Sequence, residues 1–189
     1  MVTLEGDLIE IALHESGGQS SNIINAKRIN SVVKISGQQK AMSILNQEEP
    51  TVLIAGDNGL VATFDIQTHE LVDVWALGAK ITALATFGLE DGGSIIAAGT
   101  AVGNLILRRD WEEIEPRYHP CGSKTINDLS FSKNGLILAA ASSDKHIYMF
   151  QYADQQGEYV KLAAVKLENG FPISINFSYD SRKIVVSTN

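Results

Sequence analysis

An all-β fold is what this sequence predicts, and three observations carry that expectation. The first is the stretch 126–152, INDLSFSKNGLILAAASSDKHIYMFQY. It reads as three short strands divided by Lys133-Asn134-Gly135 and by the turn 142–145, which is the grammar of β-hairpins. The second is a repeat: Gly56, Gly99 and Ser142 stand 43 residues apart, and so do Phe64, Leu107 and Phe150. The third is that these segments lack sustained i, i+3, i+4 apolar spacing and are broken by glycine-containing turns, so no helical repeat fits.

A period in the low forties, with four strands in each period, is the pattern of a propeller blade. The expected architecture is therefore a partial β-propeller of four-stranded antiparallel blades, about three complete and two partial. In order, a partial blade falls at 1–35, blades at 41–75, 81–118 and 126–167, and a further partial blade at 172–189.

The first partial blade reads as the end of a second strand at 1–4, a third strand at 7–13 and a Gly/Ser/Gln loop, HESGGQSS. An outer strand follows at 29–35, where Val32, Val33 and Ile35 are β-branched. The next blade has an inner strand at 41–45, then 51–56, the turn Asp57-Asn58-Gly59, 60–65 and an outer strand at 71–75. Asp-Asn-Gly supplies residues that accept positive φ cheaply. The blade after it runs 81–86, 94–99 and 103–108, with GLEDGG lengthening its first hairpin. Its outer strand is expected at 111–118, with Glu112, Glu113 and Glu115 solvated and Pro116 tolerated at an edge. After 126–150 come a hairpin at 154–158, an outer strand at 160–167 and another inner strand at 172–177.

Composition bounds the rest. The chain has 189 residues, 44% hydrophobic and 20% charged, which is ordinary for a folded domain and argues against disorder. No apolar run approaches the roughly 18 residues that span a bilayer. The acidic start MVTLEGDLIE has no apolar core of a signal peptide. One cysteine, Cys121, excludes an intrachain disulfide, and a cytoplasmic location is expected. The formal net charge is −7 and basic residues are scattered, so neither nucleic acid nor membrane is an expected partner.

Catalytic chemistry is hard to place. Among the predicted inner strands only Asp128 ionises, and one carboxylate cannot make an acid/base pair; it is expected to bond a neighbouring loop amide. His14, His69, His119 and His146 are dispersed. His119-Pro120-Cys121 holds one potential ligand pair with no second pair to complete a zinc site, and is read as a surface loop. GLEDGG precedes a strand and not a helix, so it offers no phosphate cradle. No catalytic, cofactor-binding or metal residue is assigned, and the chain is expected not to be an enzyme.

The strings LSFSKNGLILAAASSDKHIYMF and INFSYDSRKIVVSTN resemble WD-repeat blades, with Asp144 at the turn aspartate and Phe64-Asp65 in place of Trp-Asp. Cys121-Gly122 stands where Gly-His is usual, so the family's hydrogen-bonded His-Asp tetrad is not expected here in its usual form. VTLEGDLIEI, VLIAGDNGLVATFDIQTHELV and ISINFSYDSRKIVVSTN extend the resemblance to the echinoderm microtubule-associated protein-like family. That resemblance implies a tandem propeller acting as a non-catalytic interaction scaffold, with tubulin or microtubules as partners and a cytoskeletal location. The alternatives are a WD-repeat scaffold of a ciliary or trafficking complex, or a propeller enzyme with its active site in other blades.

The family's coiled coil and basic segment lie outside these 189 residues, and this acidic stretch would be repelled by an acidic lattice unless shape and loops compensate. The sequence is expected to be a piece of a longer protein, and its open blade edges are expected to favour self-association. The turns 57–59, 101–103 and 142–145 are expected at one end of the blades, and 88–93 and 133–135 at the other.

Overall fold

The structure, a computed structural model, describes residues 8–13, 23–29, 39–46, 51–65, 67–68, 70–90, 93–109, 117–153 and 158–189. Strands and no helices make up its regular structure over these residues. β1 (Leu8–Leu13) pairs antiparallel with β2 (Ile23–Ile29). β3 (Gln39–Asn46), β4 (Thr51–Gly56), β5 (Leu60–Asp65) and β6 (Leu71–Ala76) then form one sheet in chain order. A second sheet runs β7 (Ile81–Gly88), β8 (Ser94–Thr100), β9 (Asn104–Arg109) and β10 (Arg117–Pro120). A third runs β11 (Ile126–Phe131), β12 (Ile137–Ser142), β13 (His146–Ala153) and β14 (Glu158–Lys166). β15 (Pro172–Phe177) and β16 (Ile184–Thr188) make the last pair.

The first strand of each sheet touches the first strand of the next: β3 meets β7, β7 meets β11, and β11 meets β15. Sheets that follow one another along the chain and touch through their first strands are propeller blades, here three complete and two of two strands.

The blades are sealed by apolar faces. Leu53, Ala55 and Val61 of one blade pack with Ile81, Leu84, Ile96, Ala98 and Ile106 of the next. Ala83, Leu105 and Leu107 turn the other way and meet Ile126, Leu138, Tyr148 and Phe150. Ala139, Ala141 and Ile147 meet Ile175. Second strands are small and apolar because both of their faces are covered; β8 is buried along its whole length. Each large side chain enclosed this way contributes roughly 1.5–3 kcal/mol.

The structure corrects the even 43-residue step. The turns equate Gly56 with Thr100 and Ser142, because Gly59, Gly103 and Lys145 donate to these carbonyls in turn. The true steps are therefore 44 and 42. A one-residue slip reverses the face of a strand residue. Leu107 accordingly faces the following blade, and Arg108 occupies the place of Phe64 and Phe150, with its guanidinium 4.5 Å above the Trp75 ring of the preceding blade.

Two outer strands also move. The partner of β1 is Ile23–Ile29 and not 29–35; residues 30–35 and 1–4 lie outside the described residues. The described part of the outer strand of the second complete blade is Arg117–Pro120, ending two residues beyond the expected end at 118, and 110–116 lie outside the described residues. Outer strands carry the weakest signal because they are exposed on one side and have no fixed alternation.

Candidate interaction surfaces

The inner strands are joined by a recurring device. Each begins with a one-residue register shift, between Gln39 and Ala41, Ile81 and Ala83, Ile126 and Asp128, and Pro172 and Ser174. A bulge re-aims the extra side chain. At two joints that side chain is a donor to the next blade: Thr82 Oγ1 to the Ile126 carbonyl at 2.6 Å, and Asn127 Nδ2 to the Pro172 carbonyl at 2.7 Å. Asn127 Oδ1 in turn accepts from Ser143 Oγ at 2.9 Å. The bulged residue of the last inner strand, β15, is Ile173, apolar and exposed.

Asp128 adds to the Asn127 joint. Its Oδ2 accepts from Ser174 Oγ and from the Ile175 amide, both at 2.8 Å, while Oδ1 accepts the Leu129 amide at 2.9 Å. The expected loop amide is thus a strand amide of the adjacent blade. Asp128 holds β11 against β15; β3 as observed reaches back to Gln39 and so adds Lys40 to the ionisable residues of the inner strands.

At one end of the blades lie the turns between second and third strands. Their closing residues have φ of 73° at Gly59, 84° at Gly103 and 74° at Lys145. A Cβ at Gly59 would stand 2.8 Å from the Ala79 carbonyl oxygen, and one at Gly103 2.8 Å from that of Lys124, so glycine is required at both. The carbonyls of these three residues each accept an amide from the end of the outer strand: Leu77, Cys121 and Leu167.

Cys121 is therefore the counterpart of Leu77, an apolar plug, and it is fully enclosed. Burial pushes its thiol up to about 12. The surface loop expected over 119–121 is instead the end of β10 and a core residue. The His119 ring lies edge-on to Phe150 at 5.6 Å, and burial, then Arg117, lowers its pKa.

The same end holds a polar cluster around Asp144. Tyr148 donates its hydroxyl to Asp144 Oδ2 at 2.6 Å, and the His146 amide donates to Oδ1 at 3.0 Å. Burial alone would raise this carboxyl; the bonds from Tyr148, Ser142 and His146, with the His146 charge, outweigh it and hold the pKa below the ordinary carboxylate value. Gly122 is pressed on the cluster, since a Cβ there would fall 2.0 Å from Asp144 Oδ2. Tyr148 and the His146 amide thus supply the donors that satisfy Asp144 in this blade. Lys161 Nζ stands 4.6 Å from the Tyr148 ring.

Around this cluster runs an open groove of about 890 Å³ lined by Lys124, Lys145, Lys166, His146 and Glu168, among others. No feature of the sequence reading singled these lysines out. The available signal was Lys145, standing where the sister turns have glycine.

At the opposite end, Gly88, Leu89, Glu90, Asn134, Gly135 and Leu136 line one groove of about 480 Å³, so the loops at 88–93 and 133–135 do share a side. Ser132 Oγ donates to Asn134 Oδ1 at 2.8 Å, and Ser178 Oγ donates to Asp180 Oδ1 at 2.6 Å; the same turn is built twice with Asp for Asn. Among the described residues no group of three His, Cys, Asp or Glu side chains could hold a metal ion.

Blades sealed face to face and joined through their inner strands define this chain as a partial WD40-type β-propeller. Its sequence is similar to echinoderm microtubule-associated proteins. It is 29% identical over 135 residues to echinoderm microtubule-associated protein-like 2 of Rattus norvegicus, covering 70% of this chain and 20% of that protein. It is 22% identical over 141 residues to the like 1 protein of the same species, covering 75% and 17%. It is also 25% identical over 97 residues to the 77 kDa echinoderm microtubule-associated protein of Strongylocentrotus purpuratus, covering 51% and 14%. The matched stretch thus spans about a fifth or less of these relatives. No family model matches the chain.

Proposed function

We propose that this chain is a non-catalytic scaffold segment of a microtubule-associated protein, presenting blade ends and rim loops to protein partners that include tubulin or the microtubule. The observation that carries the reading is the similarity to several microtubule-associated proteins over 70–75% of the chain. The fold supports it: stiff stacked blades offer a wide surface at each end. The inner-strand carboxylate Asp128 is bonded to Ser174 and Ile175. The reading places the protein in the cytoplasm, on the cytoskeleton, and treats the blades as parts of one propeller domain.

Co-sedimentation with taxol-stabilised microtubules, alongside pulldown of unpolymerised tubulin, tests it. Saturable capture in either assay is the expected result. Capture in neither, with the chain folded by circular dichroism, overturns the cytoskeletal reading in favour of a scaffold for another complex.

Exposed Ile173 and Val185 on the last two strands, with Tyr179 in the turn between them, extend the proposal to self-association through uncovered blade surface. Sedimentation velocity should show the average mass rising with concentration, and a concentration-independent monomer would refute it.

A further inference from the structure

We propose that the groove at the turn end of the third complete blade is a docking site for an extended acidic polypeptide segment, bound through Lys124, Lys145 and Lys166. This proposal rests on the scaffold reading above.

The three lysines come from separate stretches of chain: the segment before β11, the turn between β12 and β13, and the end of β14. Two backbone bonds hold these stretches side by side. The Ser143 amide donates to the Thr125 carbonyl at 2.9 Å, and the Leu167 amide donates to the Lys145 carbonyl at 2.8 Å. All three side chains are exposed and all three line the same groove. None forms an ion pair with another described residue, whereas Lys80 has Asp57 at 3.9 Å and Arg117 has Glu158.

Asp144 also lines the groove and keeps its charge, but its oxygens are held by Tyr148 and by His146 and make no ion pair with the three lysines. Glu168 is the one other acid on the lining. Three ammonium groups against two carboxylates leave this groove cationic on a chain of net charge −7, a local exception that favours negative charge.

Lys145 strengthens the case. It holds φ 74° where Gly59 and Gly103 stand in the sister turns. The left-handed conformation is unfavourable for a residue that carries a side chain. Glycine would serve the turn better, so lysine contributes something other than turn stability.

The occupant is an acidic peptide and not a single phosphate group. The ammonium groups are carried on three segments along an open groove, and a carboxylate shares the wall. That spread suits side chains at intervals along an extended chain.

The test measures binding of a fluorescent twelve-residue oligo-glutamate peptide to the full chain by anisotropy at two salt concentrations. Parallel arms use a singly phosphorylated neutral peptide and inorganic phosphate as competitor. Lys124→Gln/Lys145→Gln/Lys166→Gln is compared with Lys80→Gln/Arg182→Gln/Lys183→Gln, which removes equal charge elsewhere. The groove variant is expected to weaken binding about tenfold, near 1.4 kcal/mol, and the control variant to change it less than twofold. Lys145→Gly alone is expected to weaken binding while raising the melting temperature.

Equal losses in the two triple variants, or preference for the phosphopeptide, would overturn the proposal. So would wild-type oligo-glutamate binding in Lys145→Gly. Microtubule capture without oligo-glutamate binding would remove the groove alone; oligo-glutamate binding without microtubule capture would remove the microtubule reading alone.

Discussion

Tyr148 donates its hydroxyl to Asp144 across 2.6 Å, tying the turn that follows β12 to the strand that leaves it. Because the carboxylate is partly buried, removing its donor leaves an acceptor without full compensation. Tyr148→Phe should therefore lower unfolding free energy by about 1–3 kcal/mol, read by urea denaturation. Asp144→Asn in the Tyr148→Phe background should cost little more, because the two residues act as a unit.

Acid should act on the same cluster. Asp144 has a folded pKa below its unfolded one, so its stabilisation is fully present above the unfolded value, near pH 4, and is lost as pH falls through the folded value. Melting temperature should drop on going from pH 5 to pH 3. Asp144→Asn should flatten that slope, and an unchanged slope would show that other carboxylates govern acid sensitivity.

Gly99 is the counterpart of Ala55 and Ala141 but has no room for their methyl group. A Cβ there would lie 2.6 Å from Ile126 Cγ2 and 2.8 Å from Ile126 Cβ. Gly99→Ala should destabilise by about 1–3 kcal/mol through overpacking. Ile126→Leu, which removes the β-branch, should recover part of the loss in the double variant. Equal losses in the single and double variants would refute the clash.

The bulge donors should be separable from the apolar seal. Thr82→Val keeps shape and removes the bond to Ile126, and should cost about 1 kcal/mol. Asn127→Leu removes the bonds to Pro172 and Ser143 together and should cost more. Hydrogen exchange should show faster exchange at β15 in Asn127→Leu than in Thr82→Val.

Cys121 should be silent in the native protein. Its thiol is enclosed and its pKa is pushed up to about 12, so thiolate is scarce at pH 8. Iodoacetamide should leave it unmodified until urea unfolds the chain, as followed by intact mass. Rapid native labelling would contradict its position as a core plug.

The blades were legible because their inner strands announce themselves. Pro172–Phe177 and Ile126–Phe131 stand where alternation and flanking turns place them. Short apolar second strands bounded by Asp-Asn-Gly or Ser-Asp turns are unambiguous for the same reason. The register of the middle blade was not legible. Leu107 and Arg108 are adjacent, and an apolar residue in an aromatic column looked like a match, whereas the structure needs the arginine there to cover Trp75. Nor did spacing reveal Cys121 as a plug, since a cysteine beside a histidine mimics a ligand pair. The lysine groove was invisible because its members are 21 residues apart in sequence and meet only when three strands lie side by side.

Successive bulges carry hydroxyl, carboxamide and hydrocarbon in turn, at Thr82, Asn127 and Ile173. The joints along the arc are therefore unequal in stiffness. Bending imposed from outside should open the seam held by Thr82 before the one where Asn127 and Asp128 both reach across. A partner pulling across the blades would meet its firmest resistance between β11 and β15.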